Sequence, residues 1–289
     1  MANTRELRRR IKSVKNTSQI TKAMQMVAAA KMRKAQNQAL GGRPYNEILN
    51  NALARLTPGI DPEAHALLRP GTGSNVGVLL LTTDKGLCGA LNTNLFRATL
   101  SHPELDSGSI TFYSVGKKGR NFVVKTGKKL EADFENPEVV IFRQAKQISR
   151  LLISEFLNGN LKEVYIVYPN FVSTLKQEPR VVKLLPINNE LLPTNQLTNN
   201  KLTNSQFLFE PNPDILLDFA LNHHIEIQIY QALLETKASE HSARMMAMQN
   251  ATDNAKELVE DLTLTYNQTR QETITNELLE ITTAQAALE

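Results

Sequence analysis

Apolar positions recur at two different periods along this chain, and the change of period marks out its elements. Near the start, Leu7, Ile11 and Val14 step by three or four residues, followed by Ile20 or Thr21, Met24, Val27 and Ala28. That stepping is the stripe of an amphipathic helix. Near the end it returns through Phe219, His223, Ile227, Tyr230 and Leu234, and again through His241, Met245, Met248, Ala251, Ala255, Val259, Leu262 and Tyr266. Between the two, residues 76–82 form an unbroken apolar run, the mark of a strand buried on both faces of a parallel sheet. Stretches 109–115, 163–168 and 181–186 read as further strands. A helix continues through Leu100, and another over 142–157 carries Ile148, Leu151, Leu152 and Phe156 at helical spacing.

Glycine and proline fix the organisation. All 13 glycines and 12 prolines fall between Gly41 and Pro213, and the first 40 and last 76 residues hold neither. Without these punctuating residues both termini can be long helices, about 60 Å and about 110 Å at 1.5 Å per residue. Neither fits inside a small domain, so each must bury its stripe against the other or against partners. The spacing is an imperfect heptad crowded with Ala23, Ala28, Ala29 and Ala30, which points to a close, weakly supercoiled pair. The expected architecture is α/β: a long antiparallel coiled coil of the N- and C-terminal helices (1–55 and 214–289) plus a small doubly wound, Rossmann-like domain (76–190). Linkers are expected at 56–75 and 191–213.

Charge supports the pairing. Residues 1–43 carry eleven Lys or Arg against Glu6 alone, whereas residues 235–289 carry ten acids and four bases. Opposite fields favour association of the two helices and disfavour self-pairing of either. With 41% hydrophobic residues in 289, a packed core is within reach. The single cysteine, Cys88, excludes an intramolecular disulfide framework and a cysteine-rich zinc site. No apolar run approaches the roughly 18 residues that would span a bilayer, and the basic start lacks the continuous apolar core of a secretory signal. A soluble intracellular protein is expected.

Candidate chemistry is sparse. The loop Asp84-Lys-Gly-Leu-Cys-Gly89 follows a buried strand, where α/β folds bind phosphates, yet it matches neither glycine-rich phosphate fingerprint. Glycines permitting a tight strand-to-helix turn, with Cys88 as a small buried filler, account for it better. Gly116-Lys-Lys-Gly-Arg120 reads as a solvated basic turn. His65, His102, His223, His224 and His241 lack metal-ligand spacing, and no nucleophile elbow occurs. The basic N-terminal helix could bind nucleic acid, but its packing stripe and the lack of aromatic residues in the first 44 positions favour a structural helix.

Three separated stretches, in order, resemble the gamma subunit of the rotary F-type ATP synthase. RRRIKSVKNT at 8–17, with QITKAM at 19–24 and MVAAAKM at 26–32, is similar to that family's opening helix. TDKGLCGALN at 83–92 is similar to its central motif, usually seen with Arg at Lys85 and Gly at Ala90. ASEHSARM at 238–245, ATDNA at 251–255, Tyr266-Asn267, Arg270-Gln271 and ITNE at 274–277 resemble its C-terminal helix, and FEP at 209–211 the start of that helix. The family's closing Gly-Ala is replaced by Ala284-Gln285, and residues 186–213 carry no counterpart of the two redox cysteines of chloroplast members.

The resemblance implies a central shaft that transmits torque for ATP synthesis or hydrolysis in a proton- or sodium-translocating complex. Implied partners are three alpha and three beta subunits around the helix pair, an epsilon subunit and a membrane-embedded c-ring. The chain would be a non-catalytic subunit with no active site, cofactor or metal of its own and no nucleic-acid partner. It would sit peripherally on the cytoplasmic face of a bacterial inner membrane. By the same resemblance Met24, Arg244, Gln271, Thr275 and Glu277 meet the stator, and Leu278 and Ile281 turn in an apolar sleeve. Phe207 and Glu210 meet the ring or epsilon.

Overall fold

Two helices of unequal length open and close the chain: α1 spans Thr4–Leu56 and α5 spans Pro213–Ala286. Between them come β1 (Asn75–Leu81), α2 (Leu91–Leu100), a short 3-10 turn, β2 (Ile110–Val115), α3 (Lys117–Lys125), β3 (Lys129–Phe134), α4 (Phe142–Leu157), β4 (Leu161–Phe171) and β5 (Gln177–Leu185). The structure is a computed structural model that describes residues 4–56, 65–105, 109–187 and 213–286. It divides into two compact units, residues 1–29 with 244–289, and residues 30–243. Among the described residues no helix is long and apolar enough to cross a membrane.

The unit 30–243 is built on a five-stranded sheet of order β3-β2-β1-β4-β5. Strands β1 to β4 run parallel, and β5 returns antiparallel to β4 through a short hairpin. The order dictates which face each helix covers. Moving from β1 to β2 to β3 and then jumping to β4 on the far side of β1 reverses direction, and right-handed crossovers then put α4 opposite α2 and α3. The cores agree. Val78, Leu80, Phe112 and Tyr165 pack with Leu95 of α2 and Val123 of α3. Leu79, Leu81, Tyr113 and Ile166 pack with Ile148 and Leu152 of α4 and with apolar residues of α1 and α5. Alternate residues of β1 thus enter opposite cores, as its unbroken apolar run requires.

Three features of this unit depart from the sequence-based expectation. Strand β3 was not expected. It is the edge strand, its residues alternate between exposed and half-buried, and Lys129, Glu131 and Asp133 dilute its apolar signal. The stretch 116–120, expected as a basic turn, is instead the start of α3. On α5, Phe219 is exposed and stacks on His223 rather than entering the core. The buried row begins at Leu217 and Leu221, on nearly the opposite side of the helix from Phe219, and winds through Ile225, Ile229 and Leu233.

Helix α1 runs through Gly41, Gly42 and Pro44 without ending. Proline removes a backbone donor from the helix. The carbonyl left without that donor is Leu40's; beside it, Gln231 Nε2 of α5 donates to the Ala39 carbonyl at 3.0 Å. A side chain at position 42 would put its Cβ 2.6 Å from Gln231 Oε1, so Gly42 permits that approach.

The other unit is an antiparallel helix pair. Thr21 Oγ1 and Thr252 Oγ1 lie 2.7 Å apart, and Gln25 Nε2 donates to Gln249 Oε1 at 3.4 Å. On the α5 side the predicted stripe from Met245 to Tyr266 is the inner face, each of its members being buried or half-buried. On the α1 side the open choice resolves to Thr21, with Ile20 exposed; Ala28 turns inward as expected, but Val27, also expected on the stripe, is exposed because it lies 100° round the helix from Ala28.

Two measurements check this fold. Gly116 sits at φ 95° and an added Cβ would meet the Thr82 carbonyl oxygen at 2.5 Å, whereas Gly127, at φ 66°, has nothing within 4 Å. Urea unfolding of the purified chain should show Gly116→Ala costing about 3 kcal/mol and Gly127→Ala about 1 kcal/mol. The second concerns His224, which burial holds at a pKa of about 4, below its ordinary 6.5. The folded chain binds fewer protons there than the unfolded one, so this stability is whole above pH 6.5 and lost as pH falls towards 4. The loss should reach roughly 3 kcal/mol. In His224→Gln, urea titrations across that pH range should lack this slope.

Candidate functional site

The loop after β1 lies where a doubly wound sheet changes direction, the usual place for a ligand. Here it is filled by its own hydrogen bonds. Thr82 Oγ1 donates to the Val115 carbonyl at 2.9 Å and accepts from Gly119 N at 2.8 Å. The Thr82 carbonyl accepts from Asn136 Nδ2 at 2.7 Å. Asp84 Oδ1 accepts from Lys117 N at 2.9 Å, and Thr83 O accepts from Lys118 N at 3.1 Å. The amides at the start of α3, which could have cradled a phosphate, are therefore engaged by this loop. Asn92 closes the other side, donating to Thr83 Oγ1 at 2.8 Å and to Cys88 Sγ at 3.4 Å. Cys88 is buried. The motif acts as a clamp that fixes the starts of α2 and α3. Sequence inspection did not find the clamp, because its partners Gly119 and Asn136 come from distant segments.

A different surface arises at the end of α5. Within the helix pair, the facing of Thr21 with Thr252 puts Thr4 level with Thr269. From Arg270 to Gln285 every residue of α5 is exposed. This stretch is nevertheless apolar in part, with Ile274, Leu278, Leu279 and Ile281 largely open to solvent. At 100° per residue, Gln271, Thr275 and Leu278 share one helix face, and Arg270, Ile274, Glu277 and Ile281 share the adjacent one. The side-chain hydrogen bond of Thr275 is local, from Oγ1 to the Gln271 carbonyl at 2.9 Å. Exposed carboxylates and amides on such a face can form charge-assisted hydrogen bonds with a second protein, while the leucines and isoleucines offer non-directional contact.

The remaining candidates fall elsewhere. Met24 is half-buried at the seam of the helix pair, and Arg244 is half-buried on α5 in the same unit. The structure thus gathers Gln271, Thr275, Glu277, Leu278 and Ile281 on one exposed stretch and leaves Met24 and Arg244 outside it. Phe207 and Glu210 lie outside the described residues. No group of three or more His, Cys, Asp or Glu among the described residues could hold a metal ion.

Comparison with known proteins supplies the context for this surface. A family model described as ATP synthase matches residues 3–288. The chain is 46% identical to the ATP synthase gamma chain of Methylacidiphilum infernorum, with 100% of each covered. It is 40% identical to that of Moorella thermoacetica, again with 100% of each covered. Among solved structures, a chain of the Euglena gracilis mitochondrial ATP synthase (OSCP/F1/c-ring) superposes with a TM-score of 0.72 at 24% identity. That match covers 99% of this chain and 94% of the other.

The clamp is testable on its own. Thr82→Val keeps the shape but leaves the Gly119 amide without its partner, and should cost about 1–3 kcal/mol in urea unfolding.

Proposed function

The chain belongs to the ATP synthase gamma chain family, and from that premise we infer that it is the central rotor shaft of an F-type ATP synthase. The observation that carries this reading is the stretch of α5 from Arg270 to Gln285, exposed throughout yet studded with leucine and isoleucine. An exposed apolar helix end implies burial in another protein. We propose that this other protein is a ring of three alpha and three beta subunits, with the c-ring and epsilon bound towards the opposite end of the rotor. Sited through that complex, the chain would lie on the cytoplasmic face of a bacterial plasma membrane, in keeping with the bacterial sources of its relatives.

The proposed mechanism needs no chemistry in this chain. A helix whose faces differ makes different contacts with each beta subunit at each angle, and a partner biases a conformational equilibrium only through such differential contacts. A few kcal/mol of difference moves a subunit from mostly open to mostly closed. Gln271, Thr275 and Glu277 supply the directional contacts that break and reform on rotation, with Arg244 and Met24 as further stator contacts. Leu278 and Ile281 supply apolar contact that fixes no single angle. Phe207 and Glu210 are proposed for the ring and epsilon side.

Co-purification tests the reading. The tagged chain should bring down a six-membered ATPase head. Truncation after Asn276 should leave urea unfolding within about 0.5 kcal/mol of the full chain, because residues 277–285 are exposed, while weakening head binding or torque. Gln271→Leu should slow rotation-coupled turnover about tenfold, the effect of losing one charge-assisted contact, without changing unfolding. Global unfolding of the truncated chain would assign the tip to this chain's own core and remove the basis for the transmission surface.

A further inference from the structure

Twelve consecutive residues of α5, from Gln231 to Ser242, are buried. A helix buried all round is ordinarily apolar all round. This one carries Gln231, Glu235, Thr236, Lys237, Ser239, Glu240, His241 and Ser242 in its buried stretch. Their partners are largely backbone carbonyls of other elements. Gln231 donates to Ala39 O of α1 at 3.0 Å. Lys237 Nζ reaches Asn136 O, between β3 and α4, at 3.3 Å. Ser239 Oγ donates to Pro169 O of β4 at 2.9 Å. Ser242 Oγ donates to Thr174 O of the β4–β5 hairpin at 2.6 Å. Glu235 holds Arg43 of α1 at 3.3 Å, and Arg43 in turn donates to Phe171 O at 2.9 Å.

These attachments lie on two sides of the helix. At 100° per residue Gln231, Glu235, Ser239 and Ser242 fall within one quadrant, and Lys237 lies well away from it. Apolar packing is non-directional and resists rolling of a helix about its own axis only through shape. Hydrogen bonds to fixed carbonyls are directional and fail when the helix turns beneath them. All the acceptors named belong to the sheet unit, and Asn136 also grips the loop clamp through Thr82 O.

We propose that this buried polar collar is the torsional fastening of the shaft. Ser239 and Ser242 act as positioning residues that keep the rotational register of α5 within the sheet unit under load. The proposal rests on the shaft reading: α5 continues without interruption to Ala286, so torque entering its far end reaches the sheet through the stretch that is fastened. Under load, slip requires these bonds to break together. The collar therefore sets how often hydrolysis proceeds without transport, separately from how stable the fold is.

The experiment uses the whole ATP synthase reconstituted in vesicles, reading ATP hydrolysis and ions pumped per ATP against an imposed gradient. Three rotors are compared: wild type, the double variant Ser239→Ala with Ser242→Ala, and Leu233→Ala, which removes apolar packing from the same region. Unfolding midpoints are recorded for each. The double variant should assemble and hydrolyse ATP, with uncoupled turnover rising roughly tenfold, the loss expected for two buried hydrogen bonds. Leu233→Ala should lower the unfolding midpoint at least as far and keep the wild-type pumping ratio. If it fails to assemble, Ile229→Val serves in its place. Wild-type coupling in the double variant overturns the proposal, as does coupling that simply tracks the unfolding midpoint across all variants. A wild-type chain that never assembles with a head strikes the shaft reading instead.

Discussion

A polar group removed from water must find a partner, and α5 imposes that demand along the stretch 231–242 more heavily than any other described element. Much of the sheet unit is arranged to meet it. The C-terminal end of β4 presents Pro169 and Phe171 carbonyls, the hairpin presents Thr174, and the segment before α4 presents Asn136. Helix α1 meets the same demand with Arg43, and gives up a side chain at Gly42 so that Gln231 can reach Ala39. Bonds of this kind contribute little net stability each. They specify one arrangement instead, because every wrong register leaves a buried donor or acceptor unpaired.

The helix pair of residues 1–29 with 244–289 follows a different rule. Its seam is small and apolar, with Ala28, Met248 and Ala255 buried and a single threonine pair at Thr21 and Thr252. Its outer surface carries the charge that distinguishes the two helices in sequence. From Arg270 to Gln285 α5 is exposed throughout, with Ile274, Leu278, Leu279 and Ile281 among the exposed side chains. The chain thus concentrates directional bonding inside the sheet unit and leaves mixed, exposed contacts at the helix end. That division suits a part that must hold its own shape while repeatedly changing what it touches.

The doubly wound sheet is put to structural use. Its direction-reversal point, open to ligands in many α/β proteins, is closed by Thr82, Asp84, Asn92 and Asn136. With those donors and acceptors satisfied internally, the loop orients helices rather than substrates. Of the glycines in these loops, Gly119 serves close packing, since an added Cβ would lie 2.6 Å from Ser114 Oγ, whereas Gly89 serves a left-handed turn at φ 58° with nothing within 4 Å.

Local chemistry determined what can be read without long-range contacts. The absence of glycine and proline permitted the two long helices, the period of apolar residues from Met245 to Tyr266 identified their seam, and the unbroken run in β1 marked a strand covered on both faces. Ordered motifs pointed to the family. Tertiary structure decided the rest. Strand β3 exists because β2 offers it an open edge, and its charged residues hide it from hydropathy. Helix α3 begins at a basic glycine stretch because Thr82 and Asp84, more than thirty residues earlier, hold its first amides. The core face of α5 near Phe219 was settled by which side the sheet covers, since apolar residues stand on both sides of the helix there. Above all, composition does not reveal that the polar residues of 231–242 are buried. Only the carbonyls gathered around them by the fold make their burial possible, because hydropathy registers whether a side chain is polar and says nothing of whether a partner waits for it.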